Sequence, residues 1–318
     1  MLAQSNTTVT PAERKEEMSK VRSAIEAKDY IKALNMLRPM AQQGMRGAQY
    51  NLGVMYRDGN GVAQDYKTAA EWFEKAANQG SRHAAYNLGL LYAKGYGVKQ
   101  DFTKAYELSK TAADDGMADA QYNVGLLYLE GQGTKQDSKE AEKYFRLAAD
   151  QGQIDAQYSL ALLYLDRKDE PDQHKAFDIL QKLASENHIG AEYDLAVMYL
   201  QGEGTAKDLK TAAMWMTKAA ESGCPDAQYD LGVMYHNGDG VPKDQKQSLA
   251  WLKKAAEGGY PDAQFNLAIM YEKGEGVPKN DTLARQWFKK AASSGDIEAR
   301  EMLTMRGHTA DLGTSSTR

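Results

Sequence analysis

The chain has 318 residues, 26% of them charged, with a formal net charge of -5 and a pI near 5.7. Acidic and basic residues interleave, so there is no concentrated basic face to displace counterions, which argues against sequence-independent nucleic-acid binding. No apolar run approaches the roughly 18 residues that cross a bilayer, and the lone Cys224 excludes an internal disulfide framework and any multi-cysteine metal site.

Taken in chain order, residues 1–11 are small, polar and rich in Ser and Thr. They are expected to form a disordered linker of the kind that follows a removed secretion signal, which points to the periplasm, with the cytoplasm as the alternative. Residues 12–47 carry two helical patterns, "ERKEEMSKVRSAIEA" and "YIKALNMLRPMAQQG". They are expected to form a divergent N-terminal capping pair whose charged outer helix needs no neighbour to cover it. Pro39 is expected to kink or shorten the second helix.

From Ala48 the chain repeats itself. The segments "AQYNLGVMY", "AAYNLGLLY", "AQYNVGLLY", "AQYSLALLY", "AEYDLAVMY", "AQYDLGVMY" and "AQFNLAIMY" begin at Ala48, Ala84, Ala120, Ala156, Ala191, Ala227 and Ala263. Seven repeats are therefore expected over 48–298, a C-terminal capping helix over 299–306 and a disordered tail over 307–318. Each repeat divides into a helix A and a helix B. Ala48, Leu52 and Tyr56 share one face of the first helix A, and Gly59 and Gly61 follow as a tight turn. An N-capping Asp opens helix B in most repeats (Asp65, Asp101, Asp137, Asp208, Asp244), with Asn280 in the last. Helix B carries Trp and Phe, expected to pack outward onto the next repeat, and Gly or Asn187 ends it.

The fourth turn breaks the pattern. Where the others read "RDGNGV" or "LEGQGT", this one reads "LDRKDEPD", one residue shorter, with Arg167 and Asp169 in place of the glycines and Pro171-Asp172 expected to restart helix B. Arg167, Lys168, Asp169 and Glu170 are thus expected either to bend the array or to touch a partner.

The pattern A-x-Y-x-L-G-x-x-Y-x-x-G-x-G-V, followed by D-x-x-K-A-x-x-W-F-x-K-A-A, resembles the SEL-one-like repeat (SLR) family, relatives of the tetratricopeptide repeats. The resemblance implies an all-α fold, a right-handed α/α superhelical solenoid with helices A lining a concave groove. It also implies a non-enzymatic adaptor that holds a protein partner. Within the family it points to an immunity-type inhibitor of a cognate secreted bacterial toxin, such as a phospholipase effector. A periplasmic scaffold for envelope or polysaccharide assembly is the alternative, and a glycan or peptidoglycan binder or a hydrolase stands behind both. The cysteine-rich branch of the family does not carry over to a chain with one cysteine.

No catalytic or metal-binding constellation accompanies the repeats, so no cofactor is expected. The five histidines occupy unlike positions in different repeats, and the Gly-x-Gly pairs follow helices rather than strands, unlike phosphate cradles. The third, seventh and tenth positions of helix A share one edge at roughly 0°, 40° and 340°. In the middle of the chain that edge reads Tyr122-Leu126-Leu129, Tyr158-Leu162-Leu165, Tyr193-Val197-Leu200 and Tyr229-Val233-His236. The leucines at the tenth position suggest an apolar patch with a polar rim; packing beneath the groove floor is the competing reading. Asn123, Glu130, Ser159, Asp166, Asp194, Gln201, Asp230 and Asn237 flank this edge, and the aspartates favour a partner with basic groups.

Overall fold

A computed structural model describes residues 11–305, and among these every regular element is an α-helix. The linker expected over 1–11 and the tail over 307–318 lie outside the described residues, except that Pro11 opens the first helix. Two compact units divide the chain, Met1–Ser159 and Leu160–Arg318. The N-terminal unit contains α1 (Pro11–Glu26), α2 (Tyr30–Gln42), α3 (Arg46–Asp58), α4 (Tyr66–Ala77), α5 (Arg82–Lys94), α6 (Phe102–Asp114), α7 (Ala118–Glu130) and α8 (Ser138–Ala149). The boundary falls within α9 (Ile154–Arg167). The C-terminal unit continues with α10 (Glu170–Ser185), α11 (Ile189–Gln201), α12 (Leu209–Glu221), α13 (Pro225–Asn237), α14 (Gln245–Glu257), α15 (Pro261–Lys273), α16 (Asp281–Ser293) and α17 (Ile297–Met305). Within each unit a helix packs chiefly on its neighbours in sequence, the arrangement of an all-α solenoid.

The local code of each hairpin is legible in its bonds. Asp137 accepts from the amides of Lys139 and Glu140 at the start of α8, and Asp208 does the same for Lys210 and Thr211 at the start of α12. In several turns the second glycine serves the neighbouring repeat as well as its own. Gly240 has φ 72°, and a Cβ there would sit 1.9 Å from the Leu209 carbonyl oxygen; at Gly133 (φ 70°) the same atom would meet the Phe102 carbonyl. Backbone touches backbone at these points, so no side chain fits.

The core corrects half of one expectation. The helix-B phenylalanines Phe73, Phe145 and Phe288 are buried rather than outward-facing, while Phe73 shares its core cluster with Ala84, Leu88 and Leu91 of the next repeat and Phe288 with Ala299 and Leu303. Phe145 lies against Gly125 and Phe73 against Gly53, each on helix A of the same repeat. A glycine there opens the recess that the ring fills. The tryptophans are the amphipathic partners, and Trp72, Trp251 and Trp287 each carry a Lys three residues on, its ammonium 4.0–4.1 Å from the ring centroid.

Repeats are also clasped at the second position of helix A. Gln121 donates to the Ala113 carbonyl (3.2 Å) and accepts from Gln151 (2.7 Å). Gln49 bonds to Ala41 and Gln79 in the same way. In α11 the position is Glu192, which cannot donate. There Lys218 donates instead to the Ala184 carbonyl (3.1 Å), with its Nζ 2.9 Å from Glu192 Oε1. The pairing is ionic rather than well directed, since neither Glu192 oxygen receives a hydrogen bond of good geometry.

Pro39 neither ends nor shortens α2, which runs on to Gln42. At the fourth turn the missing residue is absorbed by the helices. α9 and α10 are 14 and 16 residues long where α3–α8 and α11–α16 have 12 or 13, so only Lys168 and Asp169 remain between them. Asp169, not the Pro171-Asp172 pair, caps the new helix by accepting from the Asp172 amide (2.9 Å). The left-handed residue is Lys168 (φ 56°), where regular turns place glycine, as at Gly202 (φ 79°).

Candidate functional site: the helix-A face

The edge read from helical periodicity is neither core nor fully open. Tyr122, Leu126 and Leu129 are half-buried, as is Tyr158. In the C-terminal unit Leu165, Tyr193, Val197, Leu200, Tyr229 and Val233 are half-buried as well. Leu162 is 41% exposed, and His236 is exposed. The reason is geometric. The inner sides of Tyr193, Val197 and Leu200 pack on the buried cluster that includes Ala196, Ala227 and Leu231, which leaves their outer sides without cover from their own unit. Leu129 belongs to the N-terminal unit, and Leu165 and Leu200 to the C-terminal one.

The flanking polar residues separate into two groups. Glu130, Asp166, Gln201 and Asn237 are exposed, and Asn237 bonds to Asp239 (3.0 Å). The others are half-buried at the fourth position of helix A. Asn123 donates to Ser109 Oγ (2.9 Å), Ser159 and Asp194 share its level of burial, and Asp230 accepts from the Tyr193 hydroxyl (3.1 Å). One repeat later the bond runs the other way, with Asn266 donating to the Tyr229 hydroxyl (3.1 Å). At the irregular turn, Lys168 and Glu170 are exposed and Asp169 is spent on the cap. Arg167 turns inward to Asp172 (3.0 Å), which Lys175 also holds (2.5 Å). The Lys175 hydrogen bond, then that of Arg167, holds the Asp172 carboxyl below its usual range.

Three residues absent from the sequence-based set join this face in the C-terminal unit. The Tyr260 ring lies 5.2 Å from that of Tyr229, and its hydroxyl sits near enough to Asp226 for that carboxylate to raise its pKa. Asp262 lies close enough to raise both phenols. Burial and the neighbouring carboxylates push Tyr260 up to about 12 and also raise Tyr193, and burial raises Asp230 against the opposing Tyr193 hydrogen bond. The signal was present in "CPDAQYD" and "YPDAQFN", where Pro-Asp precedes the helix-A motif and supplies a carboxylate in its first turn.

The matching edge of the N-terminal unit is built differently. Arg57 holds Asn87 and pairs with Asp58 (2.6 Å). A cavity of about 220 Å³ beside it is lined by Tyr66, Lys94 and Tyr96 among others. Arg46 and Arg82 reach the carbonyls of Gln79 and Asp115 at the ends of the helices B. Among the described residues no group of three or more His, Cys, Asp or Glu side chains is arranged to hold a metal ion. His188 instead caps α11 by accepting from the Ala191 amide (3.1 Å), and His308 lies outside the described residues.

The Sel1 repeat family model matches residues 25–45, 47–81, 82–117, 118–153, 154–188, 189–224, 225–260 and 261–296. The chain belongs to the Sel1 repeat family. The first match makes α2 part of a repeat, within the stretch read from sequence as a capping pair. Among solved structures the chain is similar to c5321, a protective antigen of uropathogenic Escherichia coli with an SLR fold, at 31% identity and a TM-score of 0.76. That likeness covers 95% of this chain and 67% of the other. It is likewise similar to a Sel1 repeat protein from Oxalobacter formigenes, at 32% identity and a TM-score of 0.73, covering 91% and 90%. The immunity protein Pa5087 from Pseudomonas aeruginosa aligns at 19% identity and a TM-score of 0.43, over 68% of this chain and 83% of that one. A likeness at that level adds nothing on function. No curated protein matches.

Proposed function

We propose that this Sel1 repeat protein is a non-enzymatic adaptor that holds a protein partner on its helix-A face. The observation that carries the reading is the line of half-covered Tyr, Val and Leu side chains, with Leu162 the most open, set beside polar groups held at the fourth position. An apolar centre with a polar border is the usual composition of a recognition surface. Each such side chain contributes roughly 1.5–3 kcal/mol when fully buried, before the cost of association is subtracted. As a narrower reading, the partner is a secreted toxin that this chain neutralises in the periplasm; an envelope-assembly scaffold is its rival.

The test uses the full chain and the variant L162S/V197S/V233S as bait in the native host. One stoichiometric partner retained by the parent and lost by the variant, at unchanged helicity and melting temperature, supports the reading. Retention by the variant contradicts it. A toxin-like partner whose activity the protein suppresses supports immunity, and several envelope proteins support scaffolding. Fractionation of the host separates the periplasm from the cytoplasm.

A further inference from the structure

The C-terminal unit carries three carboxylates that its own cations leave uncompensated. Among the described residues Asp226, Asp230 and Asp262 form no ion pair with Lys, Arg or His. Phenols surround them instead: Tyr193 donates to Asp230 (3.1 Å), and Asp226 and Asp262 lie near enough to Tyr260 to raise it. Tyr229 lies against Tyr260 at 5.2 Å and is itself bonded by Asn266. All of these side chains except Asp262 are half-buried, and Val197 and Val233 lie beside them on the same helix-A face. The neighbouring carboxylates act in one direction: Asp226 raises Tyr193, Asp230 and Tyr260, and Asp262 raises Tyr229 and Tyr260.

We propose that this face of α11, α13 and α15 takes a segment of the partner that carries lysine or arginine side chains next to an apolar residue. The inference rests on the reading that the helix-A face binds protein. Charge complementarity identifies the occupant. An ammonium or guanidinium gains from a carboxylate through charge-assisted hydrogen bonds and from a ring face through cation–π attraction, and this surface offers both within one cluster. The valines and the aliphatic stems of the basic side chains supply the apolar contact. An acidic segment would meet carboxylates with no cation to receive it, and a purely apolar one would strand them away from water.

The experiment measures binding of short fluorescein-labelled peptides to the full chain by anisotropy. The peptides share a leucine-containing scaffold and place lysine and arginine, glutamine, or glutamate at the same positions. Each carries a photoreactive group so that its contact can be mapped. The basic peptide is expected to bind, to crosslink to α11, α13 or α15, and to weaken by about tenfold or more in D226N/D230N, a change of about 1.4 kcal/mol. The D226N/D262N variant, which keeps the Tyr193–Asp230 bond, should show a loss in the same direction. Both effects should shrink as salt is raised.

Equal binding of the three peptides, unchanged affinity in both variants, or no binding of the basic peptide overturns the inference. If that happens while L162S/V197S/V233S still loses the native partner, the proposed function stands without it. If the native partner is held regardless of that variant, the proposed function falls as well.

Discussion

The two units share one scaffold and present two surfaces. At the fourth position of helix A the N-terminal unit has Asn51, Asn87, Asn123 and Ser159, and the C-terminal unit has Asp194, Asp230 and Asn266. Two residues before the repeat alanine, where these helices open, Arg46 and Arg82 correspond to Pro225 and Pro261. These arginines reach the carbonyls at the ends of helices B, so the N-terminal unit spends its cations on its own turns. The prolines make no such bond, and the first-turn carboxylates Asp226 and Asp262 go uncompensated by cations. A repeat fold permits this because the core positions and the helix-A edge point in different directions. Each can change without the other.

The largest expected effects test the shared part. Phe145→Ala and Phe288→Ala should each cost about 3–5 kcal/mol by chemical denaturation, because both rings are buried. A large loss at one with little at the other would break the claim of a common core. Next comes the clasp that differs between units. Lys218→Met should cost roughly 2–3 kcal/mol by leaving the buried Glu192 without its cation, less than for a fully buried pair because solvent screens the partly exposed Lys218. Adding Glu192→Gln should recover most of that, since an amide can donate to Ala184 as Gln121 donates to Ala113. Absence of rescue would mean that the ionic and amide clasps are not equivalent.

A smaller gain is expected at the irregular turn. Lys168→Gly should stabilise by about 1 kcal/mol, as the left-handed backbone there suits glycine. The smallest effects are in pH dependence and have opposite signs. Asp230 titrates above its usual value, so the fold favours its protonated form, and stability contributed at this site rises as pH falls through its folded pKa. Asp230→Asn should remove that rise. Asp172 titrates below its usual value, so its contribution is present above the unfolded pKa and lost as pH falls through the folded one. Asp172→Asn should remove that loss. Melting temperatures of the three proteins between neutral and acid pH check both signs.

The fold was legible because its determinants are local and repeated: the 36-residue spacing, the capping aspartates and the glycine turns state the hairpin many times over. The periodicity of helix A also placed Tyr193, Val197 and Tyr229 on one edge. What it could not supply was the direction of helix B. Phe145 faces its own helix A because Gly125 leaves room, which is a relation between elements. At the fourth turn the sequence showed the missing glycines and the missing residue, but not that the two flanking helices lengthen and Lys168 takes the left-handed position. Tyr260 and Asp226 escaped notice because they lie far apart in the sequence and come near each other only through the packing of the hairpins.

The central claim is that partners are held on helix A and not on helix B, and site-specific photocrosslinking in the native host tests it most directly. Benzoylphenylalanine replaces Val233 on α13 in one variant and Met214, a 56% exposed apolar residue of α12, in another. One discrete adduct from position 233 and none from 214 is the expected result. Adducts from 214 alone would contradict the account.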